Sequence, residues 1–138
     1  MIKITIPGSP IGKGRPKFST FGGYPKAYTP QKTVNYENLV KLSYQQQCND
    51  KPYPKEISLR AEIRAYFAIP KSVSKIKRDM MLKGQINPTK KPDTDNIAKA
   101  ILDALNGIAY YDDAQIVALS IVKMYSDEPR AEVCISTL

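Results

Sequence analysis

Between Pro92 and Gly107 the chain has room for a single helix. Pro92 disfavours helical backbone at Lys91, so the element begins at Asp93 or Thr94, either of which suits an N-cap. Asn106-Gly107 supplies the stop. Ile97, Ile101, Ala104, Leu105 and Ile108 recur at three- and four-residue steps and predict a face turned to a core. Asp95, Lys99, Asp103 and Asn106 fall on a different face, with neighbouring Cβ atoms about 5–6 Å apart. Acids flank the element on both sides, Asp93 and Asp95 at its start and Asp112-Asp113 just past its end.

Each acid has a plain reading. An aspartate at a helix start complements the helix dipole. An Asp–Lys–Asp ladder is commonly a solvated face worth a few tenths of a kcal/mol, and Asp103 is read that way. The two pairs together ask for more. If Asp112-Asp113 folds back beside Asp93 and Asp95, the carboxylates repel unless a cation or proton joins them. A hard divalent cation, with the Lys99 ammonium nearby, is then the expected occupant, and phosphodiester chemistry the expected use. Other motifs fail on particular residues. An EF-hand loop starting at Asp93 needs Gly where Ala98 stands and Glu where Ala104 stands. An aspartyl-nucleophile phosphatase wants an apolar strand before the pair, and Thr89-Lys90-Lys91-Pro92 is polar. No phosphate-cradling GxxxxGK[ST] or GxGxxG occurs. With no histidine in the chain, imidazole bases and His-based triads are excluded.

At 138 residues, 42% apolar and 25% charged, the chain reads as one globular domain. No apolar run nears the roughly 20 residues that span a bilayer. MIKITIPGSP lacks a signal-peptide apolar region, so a cytoplasmic protein is expected. Cys48 and Cys134 show no metal or disulfide spacing and are read as reduced and incidental. The net charge of +8 is uneven: residues 1–92 carry 18 Lys/Arg against 5 Asp/Glu, and residues 93–138 carry 3 against 8. A basic body beside an acidic cluster suits a polyanion, though a solvated basic surface has the same composition.

Met1–Pro7 alternates as a half-buried strand. Gly8 to Pro30 reads as an irregular loop in which Lys13, Arg15, Lys17 and Lys26 alternate with Phe18, Phe21, Tyr24 and Tyr28. Cations for phosphates beside rings for stacking make a nucleic-acid arm of Lys13, Arg15 and Lys17; the other reading is a solvated loop. Thr29-Pro30 opens a helix to about Cys48, with Val34, Leu39 and Leu42, joined by Tyr36 and Tyr44, as its apolar face. Ile57–Ile69 reads as a long strand. Ser72 caps a short basic helix closed by Gly84, and Lys90 and Lys91 lead into the central helix as candidate phosphate contacts. Ile116–Tyr125, apolar on both faces, predicts a central strand, with Ala131–Leu138 as its hairpin partner across Asp127-Glu128-Pro129.

PD-x-DN-x-x-K-x-x-x-DALNG followed by DD-x-QI resembles the RusA family of Holliday junction resolvases, endodeoxyribonucleases often encoded by prophages. GKGRPKF, YTP, the opening strand and the paired terminal strands are similar to members from Gram-positive phages and prophages. The resemblance implies a single RusA-like domain over residues 1–138, of α/β (α+β) class, with a small mixed sheet and two or three helices mainly on one face. It implies Asp93, Asp95, Lys99 and Asp113 as catalytic residues. It also implies Mg²⁺, replaceable by Mn²⁺, on Asp93, Asp95 and Asp113 with Asp112 beside them. A homodimer acting on branched DNA follows from it, with no organic cofactor and no membrane. The loop and first helix depart from the best-known branch, so junction and sequence selectivity do not carry over. A nuclease for forks or flaps and a non-catalytic basic DNA-binding protein are the competing functions.

Overall fold

The computed structural model describes all 138 residues except the side chain of Phe21. The elements run β1 (Ile2–Pro7), β2 (Lys17–Ser19), β3 (Lys26–Tyr28), α1 (Gln31–Gln47), β4 (Leu59–Ala68), α2 (Lys75–Leu82), α3 (Thr94–Ala104), β5 (Ile116–Ser126) and β6 (Arg130–Thr137). The order β1-β6-β4-β5 makes one mixed sheet, and β2-β3 forms a separate ribbon. This is the expected α+β architecture.

Strict alternation fixes which face of the sheet is covered. Ile2, Ile4 and Ile6 of β1, Leu59, Ala61, Ile63 and Ala65 of β4, and Ala131, Val133 and Ile135 of β6 are all buried. They meet Tyr36, Val40 and Tyr44 of α1 and Ile97, Ile101 and Leu105 of α3 in one core. Alanines at 61, 65, 98, 100 and 104 are buried as well, and their small volume lets helix and sheet approach closely. The opposite face carries Lys3, Thr5, Glu62, Arg64, Glu132 and Cys134 around an open concavity.

Several expectations are corrected. Ile116–Ser126 is an edge strand, not a central one, and pairs parallel with β4 alone. Its expected hairpin with the last strand does not form; β6 lies between β1 and β4, antiparallel to both. The chain between β4 and β5 passes through α2 and α3, a crossover that imposes parallel pairing. Residues 127–129 then step over β4, about two strand spacings, before β6 begins. Arg130 fastens that step through the Glu128 carbonyl at 2.9 Å and the Ser126 hydroxyl at 3.1 Å.

The loop after β1 is not wholly irregular, since its glycines make the β2-β3 turn: Gly22 and Gly23 take φ of 85° and 84°. α1 is capped by Pro30 rather than Thr29. It buries Thr33, Tyr36, Val40, Ser43 and Tyr44, while Leu42 faces solvent. Ser74, not Ser72, caps α2, accepting from Lys77 N–H at 3.2 Å.

Candidate active site

α3 is the element the sequence places most accurately. It runs from Thr94 to Ala104 with Asp93 as N-cap and Asp95 in its first turn. Asp93, Asp95 and Lys99 are exposed and Asp103 is half-buried, so Asp95, Lys99 and Asp103 form one outward stripe. Among the described residues, the side chains of Asp93, Asp95 and Lys99 have no hydrogen-bonding or ion-pair partner.

Asp103 does have one, supplied by the loop after β1. The Gly12-Lys13-Gly14 segment threads between α1 and α3. Lys13 N–H donates to the Asn96 carbonyl at 2.8 Å, and Gly14 N–H to Thr33 Oγ1 at 2.9 Å. A Cβ on Gly12 would lie 2.8 Å from Pro92 Cβ and 3.1 Å from Asn96 Cβ; on Gly14, 2.9 Å from Pro30 Cγ and Thr33 Oγ1. Only glycine lets the strap lie this close to both helices. The Lys13 ammonium is thereby set 2.8 Å from Glu37 of α1 and 3.3 Å from Asp103 of α3. Partial burial by itself lowers the Lys13 pKa, but bonds and charge from Glu37 and Asp103 outweigh it, and the net shift is upward.

Beyond α3 the chain turns back through Tyr110, whose buried hydroxyl donates to the Leu102 carbonyl at 2.5 Å. Asp113 N–H donates to Asn106 Oδ1 at 2.7 Å. Gln115 Oε1 accepts from Tyr111 and Asp112 N–H, while its Nε2 donates to the Pro54 and Ile57 carbonyls. The acid turn is therefore tied both to the end of α3 and to the approach of β4. Asp113 sits against Asp112 and Asp103. Partial burial first, then hydrogen bonding with and charge repulsion from those two acids, raise its pKa above the ordinary carboxylate value.

Asp112-Asp113 thus folds back, but onto Asp103 rather than onto Asp93 and Asp95. The two acid groups occupy opposite ends of an 11-residue helix, about 16 Å long at 1.5 Å per residue. Hard carboxylate oxygens suit Mg²⁺ or Mn²⁺. Within one chain, however, no three His, Cys, Asp or Glu among the described residues are placed to hold a metal ion. The expected single cage does not close in one subunit.

Of the expected DNA contacts, Arg15 and Lys17 are exposed at the root of the β2-β3 ribbon, and Lys90 and Lys91 are exposed just before α3. Lys13 instead neutralises acids. From the sequence alone Asp103 reads as a solvated helix residue, and nothing marks Glu37. The one signal for their coupling is the pair of glycines around Lys13.

A family model described as Endodeoxyribonuclease RusA matches residues 7–136. The chain belongs to the RusA endodeoxyribonuclease family. It is also similar to the uncharacterized protein YqaN of Bacillus subtilis (strain 168), at 39% identity over 136 residues, 97% of this chain and 94% of that one. As a RusA-family nuclease it is a hydrolase of DNA phosphodiester bonds, and α3 with its flanking acids sets exposed carboxylates beside the unpaired Lys99. No helix among the described residues is long and apolar enough to cross a membrane.

Proposed function

We propose that this RusA-family endodeoxyribonuclease is a homodimer that nicks four-way DNA junctions symmetrically. Asp93, Asp95 and Asp113, with Asp112, are its essential acids, and Lys99 faces the scissile phosphate. The observation that carries this reading is the outward stripe of α3, where Lys99 stands unpaired between Asp95 and Asp103, with Lys90 and Lys91 exposed just before the helix. A free ammonium at that point can meet a phosphate oxygen and stabilise the charge that develops as the bond breaks. Arg15 and Lys17, with Lys90 and Lys91, lie outside the acid groups and are suited to neighbouring backbone phosphates, which fix register without reading sequence. Dependence on Mg²⁺ or Mn²⁺ is part of the proposal, although one subunit alone does not assemble the ligands. A two-fold dimer presents two equivalent sites to two strands, which fits paired cuts.

Wild type and Asp95→Asn are compared on a four-way junction, a fork and a linear duplex, with and without EDTA. Wild type is expected to cut the junction in preference to the others and to stop in EDTA. The variant is expected to lose on the order of 10²-fold or more in rate while still binding DNA. Near wild-type cutting by the variant removes Asp95 from the site. Preferential cutting of the fork points to a branched-DNA nuclease of another kind, and binding without any cutting to a non-catalytic DNA-binding protein.

A further inference from the structure

Beside the acid turn lies an open pocket of about 490 Å³, whose lining includes Lys55, Glu56, Ile57, Tyr111, Asp112 and Val117. Its two walls are the approach to β4 and the turn that carries Asp112 and Asp113. They are clamped together. Tyr53 N–H donates to the Ala109 carbonyl at 2.9 Å, and Gln115 Nε2 to the Pro54 and Ile57 carbonyls at 2.9 and 3.1 Å. Gln115 Oε1 in turn accepts from Tyr111 N–H at 2.9 Å. The backbone under Tyr111 is therefore fixed, while Tyr111 itself is 62% exposed. Lys55 Nζ stands 4.9 Å from the centroid of that ring and pairs with no carboxylate among the described residues. Glu56, next in the chain, holds a φ of 78°. A residue with a side chain keeps that left-handed conformation only under constraint, and such positions gather at ligand sites.

Resting on the nuclease reading above, we propose that this pocket is a nucleotide subsite of the cleavage site: an unpaired base of the DNA stacks on Tyr111, and its phosphate meets Lys55. An open ring face takes any base, and a free ammonium takes a phosphate oxygen. Charge sorts the two parts of the ligand. Glu56 and Asp112 in the lining repel an anion, so the neutral base enters the pocket and the phosphate stays at Lys55. A base within a duplex has both faces covered by its neighbours and must leave the stack to reach an aromatic ring. A branch point supplies such a base more readily than a linear duplex. Asp112 belongs both to the pocket and to the acid turn, so a nucleotide held here lies beside the acids and the pocket favours branched DNA at the point of cutting.

Fluorescence anisotropy in EDTA tests this, with wild type, Tyr111→Ala, Tyr111→Phe and Lys55→Gln on a labelled oligothymidylate, a four-way junction and a linear duplex. Tyr111→Ala is expected to weaken binding of the oligothymidylate and the junction about 10-fold, the loss of one stacked base, and to leave the duplex unchanged. Tyr111→Phe keeps the ring and should bind as wild type does. Lys55→Gln should lower the slope of log binding constant against log salt by about 0.7 on the single strand. Both residues are exposed, and unchanged melting of each variant would show an intact subunit; should Tyr111→Ala melt early, Tyr111→Leu gives the same comparison with the apolar bulk kept. A wild type that does not bind the oligothymidylate, a Tyr111→Ala that binds it undiminished, or an equal loss on the duplex overturns the assignment. Junction cutting is scored separately. A wild type that cuts junctions while Tyr111→Ala binds every DNA undiminished keeps the proposed function and loses only this subsite.

Discussion

Lys13 shows how far a residue's surroundings alter its meaning. In the sequence it heads a run of cations suited to phosphate; in the fold it is a half-buried counter-charge for Glu37 and Asp103. Its side chain is 22% exposed, with Glu37 at 16% and Asp103 at 26%. Lys13→Met should therefore cost about 2 kcal/mol in urea unfolding, between an exposed ion pair at up to about 1 and a broken buried one at 3–5. Asp113 runs the other way. Its pKa is raised in the folded chain, so its stabilising contribution is full below the ordinary carboxylate value near 3.8 and is lost as pH rises through the folded value. At neutral pH the charged group is a burden on Asp103 and Asp112. Asp113→Asn should raise stability at pH 7 by about 1 kcal/mol, the Coulomb energy of two exposed charges about 4 Å apart. That gain should shrink in acid melts, and DNA cleavage should be lost along with the carboxylate.

Among the elements, α3 and β5 differ in what their patterns could tell. α3 is bounded by Pro92 and Gly107 and has a one-sided apolar stripe, so its limits, its buried face and its outward acids all follow from local rules. β5 is apolar on both faces, a pattern shared by a strand buried in the middle of a sheet and one waiting at its edge. What decides for the edge is that β6 takes the other side of β4 and no strand pairs beyond β5. α1 is similar: Leu42 looks like core and is not, because α1 turns Tyr36, Val40 and Tyr44 toward β1 and α3, and Leu42 lies on the opposite side of the helix. The Gln47 side chain at its end, which bonds the N–H and the carbonyl of Thr5 at the β1 edge, is open to a simple check. Gln47→Ala should cost about 1 kcal/mol for two exposed hydrogen bonds. It should also free the β1 edge, so that light scattering reports species larger than those of wild type.

Across the whole molecule, the aspartates of residues 93–113 gather at the two ends of α3, while the exposed cations of the first two thirds stand on other elements. The exposed cations Arg15, Lys17 and Lys26 stand with the β2-β3 ribbon, where Phe18 and Tyr24 are also open to solvent. Replacing all three by glutamine should reduce the slope of log binding constant against log salt by about 2–3, near 0.9 for each phosphate that is no longer neutralised. Lys13→Met, measured the same way by fluorescence anisotropy on duplex DNA, should leave the slope unchanged, because its charge is already spent on carboxylates.

Apart from the β2-β3 ribbon, which reads as irregular loop, the main strands and helices, the alternation of β1 and β4 and the motif on α3 are readable from the chain alone, since each depends on residues within a few positions of one another. Which strand lies beside which is not, because the crossover and the step over β4 are decided by packing among residues far apart in the sequence. The same holds at the site. The sequence names the acids, but it took the three-dimensional fold to set Lys13 between Glu37 and Asp103 and to turn Asp113 onto the far end of α3, because charges are sorted by distance in space and not by order along the chain.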